Sequence, residues 1–269
     1  MARRARAGRA DARRRHMAIV DLLDRQGALS VAALAHEFQC SPATIRRDLE
    51  ALSREGVPLQ HHHGSVSLVR TDLATQWEAG RIAEYAAKEA IAQLVVEAIP
   101  PATTVGLNGG TTTLLIARAL VKAGKPVRVV TNALNIAYEL AVKGMDVVMV
   151  GGAVRLPNFE STGPLALATL TDMHVDWGIL GAEGADPVFG FSTTSEDEAA
   201  VAQAFRACSD HIVMAVDHTK LGKKAIFRLL PWAEANYLVS NLGVAVRPAW
   251  LGEPRHQGHG AGWWPISCT

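Results

Sequence analysis

The apolar positions of the chain change rhythm part-way along. Between residues 14 and 54 they recur at helical spacing in three short runs. Ile19, Val20, Leu22 and Leu23 predict an amphipathic helix stopped by Gln26-Gly27. Ser30 caps a second helix, in which Val31, Leu34, Ala35 and Phe38 share one face. Gln39-Cys40 makes a turn. Ser41-Pro42 then opens a third helix, with a capping residue followed by proline at the first helical position. Ile45, Leu49 and Leu52 point inward there, which leaves Thr44, Arg46 and Arg47 outward near its start. Beyond it, Leu59, His61-His62-His63, Gly64, Ser65 and Val66 predict a β-hairpin.

Beyond residue 82 the rhythm alternates. A helix is predicted over 83–98, ended by Pro100-Pro101. Apolar strand-like runs follow at Thr104–Leu107, Val127–Val130, Val147–Val150, Trp177–Leu180 and Ile212–Val216. Helical patterns lie between them at Thr113–Ala123, Ala133–Lys143, Leu165–Thr171 and Glu196–Cys208. Buried strands alternating with helices predict an α/β domain with a mostly parallel sheet covered on both faces. The 269 residues therefore divide into a basic leader without order (1–13), a winged helix-turn-helix (14–68), a linker (69–82), the α/β domain (83–241) and a poorly ordered tail rich in Gly, Pro, His and Trp (242–269).

Charge sharpens this division. The chain carries a formal +1. Residues 1–70 hold twelve arginines, no lysine and seven acids, about +5, which leaves about −4 for the rest. A basic front on an acidic body predicts a polyanion partner for the front alone. Cys40, Cys208 and Cys268 form no CxxC motif, so no disulfide framework or cysteine metal site is expected, as suits a cytoplasmic protein. No uncharged apolar run reaches the roughly 18 residues of a membrane span.

Two constellations carry candidate chemistry. Ser41, Thr44, Arg46 and Arg47 open the second helix of a helix-turn-helix, where guanidinium forks and hydroxyls meet base edges and phosphates of double-stranded DNA. His63 and Gly64 belong to the wing beside it. Consecutive strand residues point to opposite faces, so the three histidines cannot converge on one metal ion. In the α/β domain, small and polar residues gather where strands end: Asn108-Gly109-Gly110-Thr111-Thr112, Thr131-Asn132, Gly151-Gly152 and Gly181 to Gly184. A glycine turn leading into a helix presents free N–H groups and a dipole to an anion.

These stretches resemble the DeoR-type regulators. SPATIRRDLEALSREG followed by HHGSV is similar to that family's S-x-x-T-I-R-R-D-L and wing signatures, although His61 stands for an arginine and Ser65 for a glycine. NGGTTT, VVTNALNIAYEL, VVMVGGAVR, STGPLA, VDWGILGAEG and VDHTKLGKKA match its sensor domain in order, several being similar to the glycerol-3-phosphate repressor subgroup. The resemblance implies a sensor fold of the sugar-phosphate isomerase-like type. It implies a repressor of a carbohydrate or polyol operon that binds operator DNA as a homodimer or homotetramer, with no cofactor or metal. It also implies a phosphorylated sugar-type effector seated on Gly110, Thr111 and Thr112, with Asn108, Thr131, Asn132, Gly151, Gly152 and Lys220 around it. Asn108 replaces an acid usual in the family. The alternative is a sugar-phosphate isomerase-like enzyme with an accessory helix-turn-helix. Asp217, Glu183 and Lys220 are its candidate acid and base groups, and no paired-carboxylate motif supports it.

Overall fold

The structure, a computed structural model, describes residues 2–54, 57, 59–62, 65–68, 80, 83–156, 158–242 and 251–266, with backbone only for residues 2–11, 13, 61 and 62. It divides into two units, Met1–Tyr85 and Ala86–Thr269.

The first unit begins with α1 (Ala2–Gln26), then β1 (Leu29–Ser30), α2 (Val31–Glu37), α3 (Pro42–Arg54), β2 (Leu59–His62) and β3 (Ser65–Leu68). Residues 1–13, expected to lack order, run instead into α1 as one helix from Ala2. Alanine and arginine are among the strongest helix formers, so propensity extends a helix that hydrophobic periodicity starts only at Ile19. Gly27, at φ +77°, ends it. Ile19, Val20 and Leu23 of α1 pack with Leu34, Ile45, Leu49, Leu52 and Val66 in one core. The expected hairpin forms as β2–β3, with β1 joining β3 to make a three-stranded sheet. Its tip, His63 and Gly64, and nearly all of the linker over 69–82 lie outside the described residues.

The second unit opens with α4 (Tyr85–Ala98), whose Ile91, Val95 and Val96 are buried. Its eight-stranded sheet runs β15-β16-β14-β12-β9-β4-β5-β6. The strands are β4 (Thr104–Leu107), β5 (Arg128–Thr131), β6 (Asp146–Met149), β9 (Val175–Leu180), β12 (Ser209–Ala215), β14 (Tyr237–Ser240), β15 (His256–Gly258) and β16 (Ala261–Pro265). From β14 to β6 every pairing is parallel. Helices α5 (Thr111–Ala123), α6 (Leu134–Val142), α7 (Pro164–Thr171) and α8 (Glu196–Ala207) alternate with these strands. The short hairpin β7 (Ala153–Arg155) with β8 (Glu160–Thr162) follows β6, and β10 (Gly184–Asp186), β11 (Gly190–Thr193) and β13 (Phe227–Leu230) form a small antiparallel sheet.

The tail is the largest departure from expectation. Residues 251–266, expected to be poorly ordered, supply β15 and β16, and β16 pairs antiparallel with β14. His259 and Gly260, both at positive φ, form a two-residue hairpin turn between them. Trp264 is 2% exposed and donates its indole N–H to Gly252 O at 3.0 Å, while Trp263 packs on Tyr237. All four residues from Ala261 to Trp264 are buried, so the strand shows no alternation for a periodicity argument to detect.

Candidate functional site

In the first unit, the start of α3 is built by its own side chains. Ser41 Oγ accepts the Thr44 N–H at 3.1 Å and lies 2.9 Å from Thr44 Oγ1. The serine thus satisfies one of the orphan donors that any helix start leaves. Arg46 and Arg47 are exposed, as the spacing predicts, while Thr44, expected to face outward with them, is half-buried. The helix is held from behind by Asp48. Its carboxylate accepts from Arg15 Nε at 2.6 Å and Nη2 at 3.0 Å, and bonds His16 Nε2 at 3.0 Å. Burial works to raise this carboxyl, but the Arg15 and His16 hydrogen bonds outweigh it and hold it below its ordinary value. Sequence spacing gave no hint of this link between α1 and α3, because its partners stand 32 and 33 residues apart.

In the second unit, the chain order of the sheet reverses between β4 and β9: β5 and β6 lie to one side, and β9, β12 and β14 to the other. Such a switch point leaves a crevice at the carboxyl ends of the strands, where the two outgoing connections diverge. The predicted residues line this rim. Asn108, Gly109 and Gly110 follow β4. Thr131 and Asn132 close β5, Gly151 and Gly152 follow β6, and Lys220 sits on the short 3₁₀ turn after β12. Gly110, at φ +143°, stands at the N-cap of α5 with no side chain capping it, so the N–H groups of Thr111 and Thr112 open toward the rim. Thr113 Oγ1 turns back to Gly110 O at 3.0 Å. Gly152, at φ +142°, has no room for a side chain, since a Cβ would lie 2.6 Å from Thr162 O.

Asn108 bridges the switch point. Its Nδ2 donates to Gly181 O at 3.2 Å and its Oδ1 accepts the Gly181 N–H at 2.9 Å, tying β4 to β9. A carboxylate could accept but not donate, and would set a negative oxygen against the Gly181 carbonyl. Both ends of the Asn108 amide are thus engaged by backbone.

Two carboxyls beside the glycine turn escaped the sequence reading. Glu160, 2% exposed, enters from β8, and its Oε1 accepts the Gly109 N–H at 2.6 Å. Glu198 of α8 lies within hydrogen-bonding reach of it. Glu198 accepts from Arg155 Nη1 at 2.6 Å, Asn158 Nδ2 at 2.9 Å and Thr193 Oγ1 at 2.5 Å. Burial first, and the charge of Glu198 second, push the Glu160 carboxyl up to about 8. A paired-carboxylate arrangement is therefore present, contrary to the sequence reading, assembled from residues too distant to form a motif. Acidic residues just before Ser161-Thr162-Gly163 and in the first turn of α8 were the available signals. The other acids considered at sequence level are committed locally: Asp217 Oδ1 caps the Thr219 N–H at 2.9 Å, and Glu183 bonds Thr194.

Several buried polar atoms around the rim have no partner: Asn132 Oδ1, Asn135 Nδ2, Glu160 Oε2 and Ser240 Oγ. Orphans of this kind are rare in folded proteins, so each of these buried atoms calls for a partner. The opposite end of the sheet offers less. A cleft of about 640 Å³ opens there, lined by Thr104, Lys125, Arg128 and Lys143 among others. Arg128 is already paired with Asp146 at 2.7 Å and Lys125 with Val96 O at 2.7 Å. Among the described residues one grouping has metal-ligand character, His174, Asp176 and Asp210. It is exposed or half-exposed, and Asp176 already accepts the Thr104 N–H at 2.6 Å.

Comparison with known proteins bears on both units. The DeoR-like helix-turn-helix domain matches residues 15–72 and the DeoR C terminal sensor domain matches residues 83–241. The glycerol-3-phosphate regulon repressor of Escherichia coli is 33% identical over 216 residues, 80% of this chain and 85% of the relative. The transcriptional repressor AccR of Agrobacterium fabrum is 33% identical over 214 residues, 79% and 83% of the two chains. Among solved structures, ribose 5 phosphate isomerase A from Neisseria gonorrhoeae aligns over 50% of this chain and 52% of its own, at 19% identity and a TM-score of 0.39. With one domain of each kind in order and relatives of this likeness over most of its length, the chain belongs to the DeoR family.

Proposed function

We propose that this protein is a cytoplasmic transcriptional repressor of a carbohydrate or polyol operon, not an enzyme, which releases or retains double-stranded operator DNA according to a phosphorylated sugar-type effector. The observation that carries the reading is the switch point itself: an uncapped helix start with two threonines, where the connections leaving the sheet diverge. An effector phosphate on the N–H groups of Thr111 and Thr112 would place the rest of the molecule toward Thr131 and Asn132 on one side and Lys220 on the other. Lys220 follows β12, two strand spacings from β4, roughly 10 Å, within the combined reach of a small sugar phosphate and a lysine stem. Binding shifts DNA affinity only if the effector prefers one of two states of the protein. Two-fold operators favour a homodimer or a homotetramer.

Mobility shift on DNA from the protein's own promoter region tests the head. Arg46→Ala and Arg47→Ala should each weaken binding, by about 1–3 kcal/mol where the lost contact is bidentate to a base. Unchanged affinity in both would place the DNA surface elsewhere. The pocket is tested separately. Thr111→Ala combined with Thr112→Ala keeps the backbone N–H groups and removes the two hydroxyl donors, so it should leave DNA affinity intact and weaken the response to glycerol 3-phosphate or a related sugar phosphate. A full response in that variant would mean that the hydroxyls take no part in holding the effector.

The Glu160–Glu198 pair favours a second reading, an isomerase using these carboxyls as acid and base. Glu198 is saturated by Arg155, Asn158 and Thr193 and Glu160 is held by Gly109, a set of bonds better suited to binding than to proton shuttling. Turnover of ribose 5-phosphate by the purified protein would reverse that preference.

A further inference from the structure

The carboxyl of Glu160 occupies the place where an anion would be expected. The N–H of Gly109 leads the glycine turn into α5, and Glu160 Oε1 already accepts it at 2.6 Å. The fit is close: a Cβ on Gly109 would lie 2.2 Å from Glu160 Cγ, so the glycine is what admits this side chain. Glu160 Oε2 is buried and faces no donor. The groups turned toward it are few. From α8 comes Glu198 and from β7 Arg155, with the Gly109 N–H on the other oxygen. Arg155 is bonded to Glu198, so of two carboxyls around one guanidinium, Glu160 is the one without a counter-ion of its own.

We propose that Glu160 is the specificity-determining residue of the effector pocket: it must carry a proton for a phosphorylated ligand to enter, so the pocket takes up an anion only together with that proton. This rests on the proposed effector site and adds to it the condition for occupancy. A phosphate on the first turn of α5 lies beside Glu160. Against a carboxylate it meets like charge in a dry site. Against the acid it meets a neutral group whose O–H can be donated to Glu198 or turned to a phosphoryl oxygen. Because the carboxyl is raised to about 8, it is protonated at neutral pH and loses the proton on the alkaline side.

Calorimetric titration with glycerol 3-phosphate, ribose 5-phosphate and inorganic phosphate from pH 7 to 9.5 tests this. Over that range a phosphate ester stays dianionic, its second pKa being about 6. The tightest ligand should bind with constant affinity up to about pH 8 and then weaken about tenfold per pH unit, as one linked proton requires. Glu160→Gln, neutral at every pH and able to accept from Gly109 while donating from Nε2, should lose the alkaline decline whatever its affinity at neutral pH. Glu198→Gln removes the adjacent charge, the second cause of the raised carboxyl after burial, so the decline should begin at a lower pH than in the wild type. A flat profile in the wild type, or an unaltered decline in Glu160→Gln, overturns the role of Glu160 while leaving the pocket in place. Absence of binding by every probe at every pH overturns the pocket and this role together.

Discussion

Gly109→Ala should abolish the effector response and lower the melting temperature of the sensor domain, while operator binding without effector stays near wild type. The new methyl group would lie within 2.2–2.6 Å of Glu160 Cγ, Cδ and Oε1, closer than any packed pair of atoms tolerates. Either the turn moves away from β8 or the Glu160 side chain leaves its place. Overpacking of this kind costs about 1–3 kcal/mol, and expelling a buried carboxyl from its N–H partner adds to that. A double-mutant cycle separates the two effects. Glu160→Ala in the same chain removes the obstacle, so Gly109→Ala should cost much less in that background. Equal costs in both backgrounds would mean that the glycine serves the turn and not its neighbour. The DNA head belongs to the other unit, so its intact function in the single variant reports that the damage is local.

Trp264→Ala should be the most destabilising single change in the sensor domain, by about 3–5 kcal/mol, the range for truncating a fully buried aromatic side chain. The indole belongs to the main core with Phe205, Ile212 and Leu238, and folds over Gly262, where a Cβ would lie 2.4 Å from its ring. Its loss empties that space and leaves Gly252 O without its donor. Trp264→Phe should recover much of the packing but not the hydrogen bond. Thermal melts of the three proteins rank them, and a loss under about 1 kcal/mol for alanine would mean that residues 251–266 add little to the sheet.

Legibility from sequence followed the range of the interactions. The helix-turn-helix was visible because its signals are local: Ser30 and Ser41 cap the helices they precede, and Ile45, Leu49 and Leu52 repeat at helical spacing. The parallel sheet was visible because its strands are apolar runs set between helices, and the rim because glycine and threonine cluster where strands stop. What stayed hidden depends on contacts across tens of residues. Glu160 and Glu198 acquire meaning only when β8 and α8 meet, and the Asn108 amide only when β9 arrives beside β4. The tail was misjudged for a different reason. Its strand is buried along its whole length, and glycine and tryptophan in one short stretch carry no periodic signal, although His259-Gly260 held a usable hairpin cue.

The outer strands of the large sheet carry a consequence for self-association. Its two lateral margins are β6, four residues long with Arg128 and Asp146 ion-paired across it and β5, and β15, only three residues long. Short margins, one of them ion-paired, offer little template to another molecule's backbone. Without residues 251–266, the margin on one side would become β14, whose Leu238, Val239 and Ser240 are fully buried and whose neighbours are apolar. A chain cut after Leu242 should therefore stick to itself at concentrations where the intact protein stays dispersed. In that sense the C-terminal hairpin acts as a guard against aggregation as much as a part of the core.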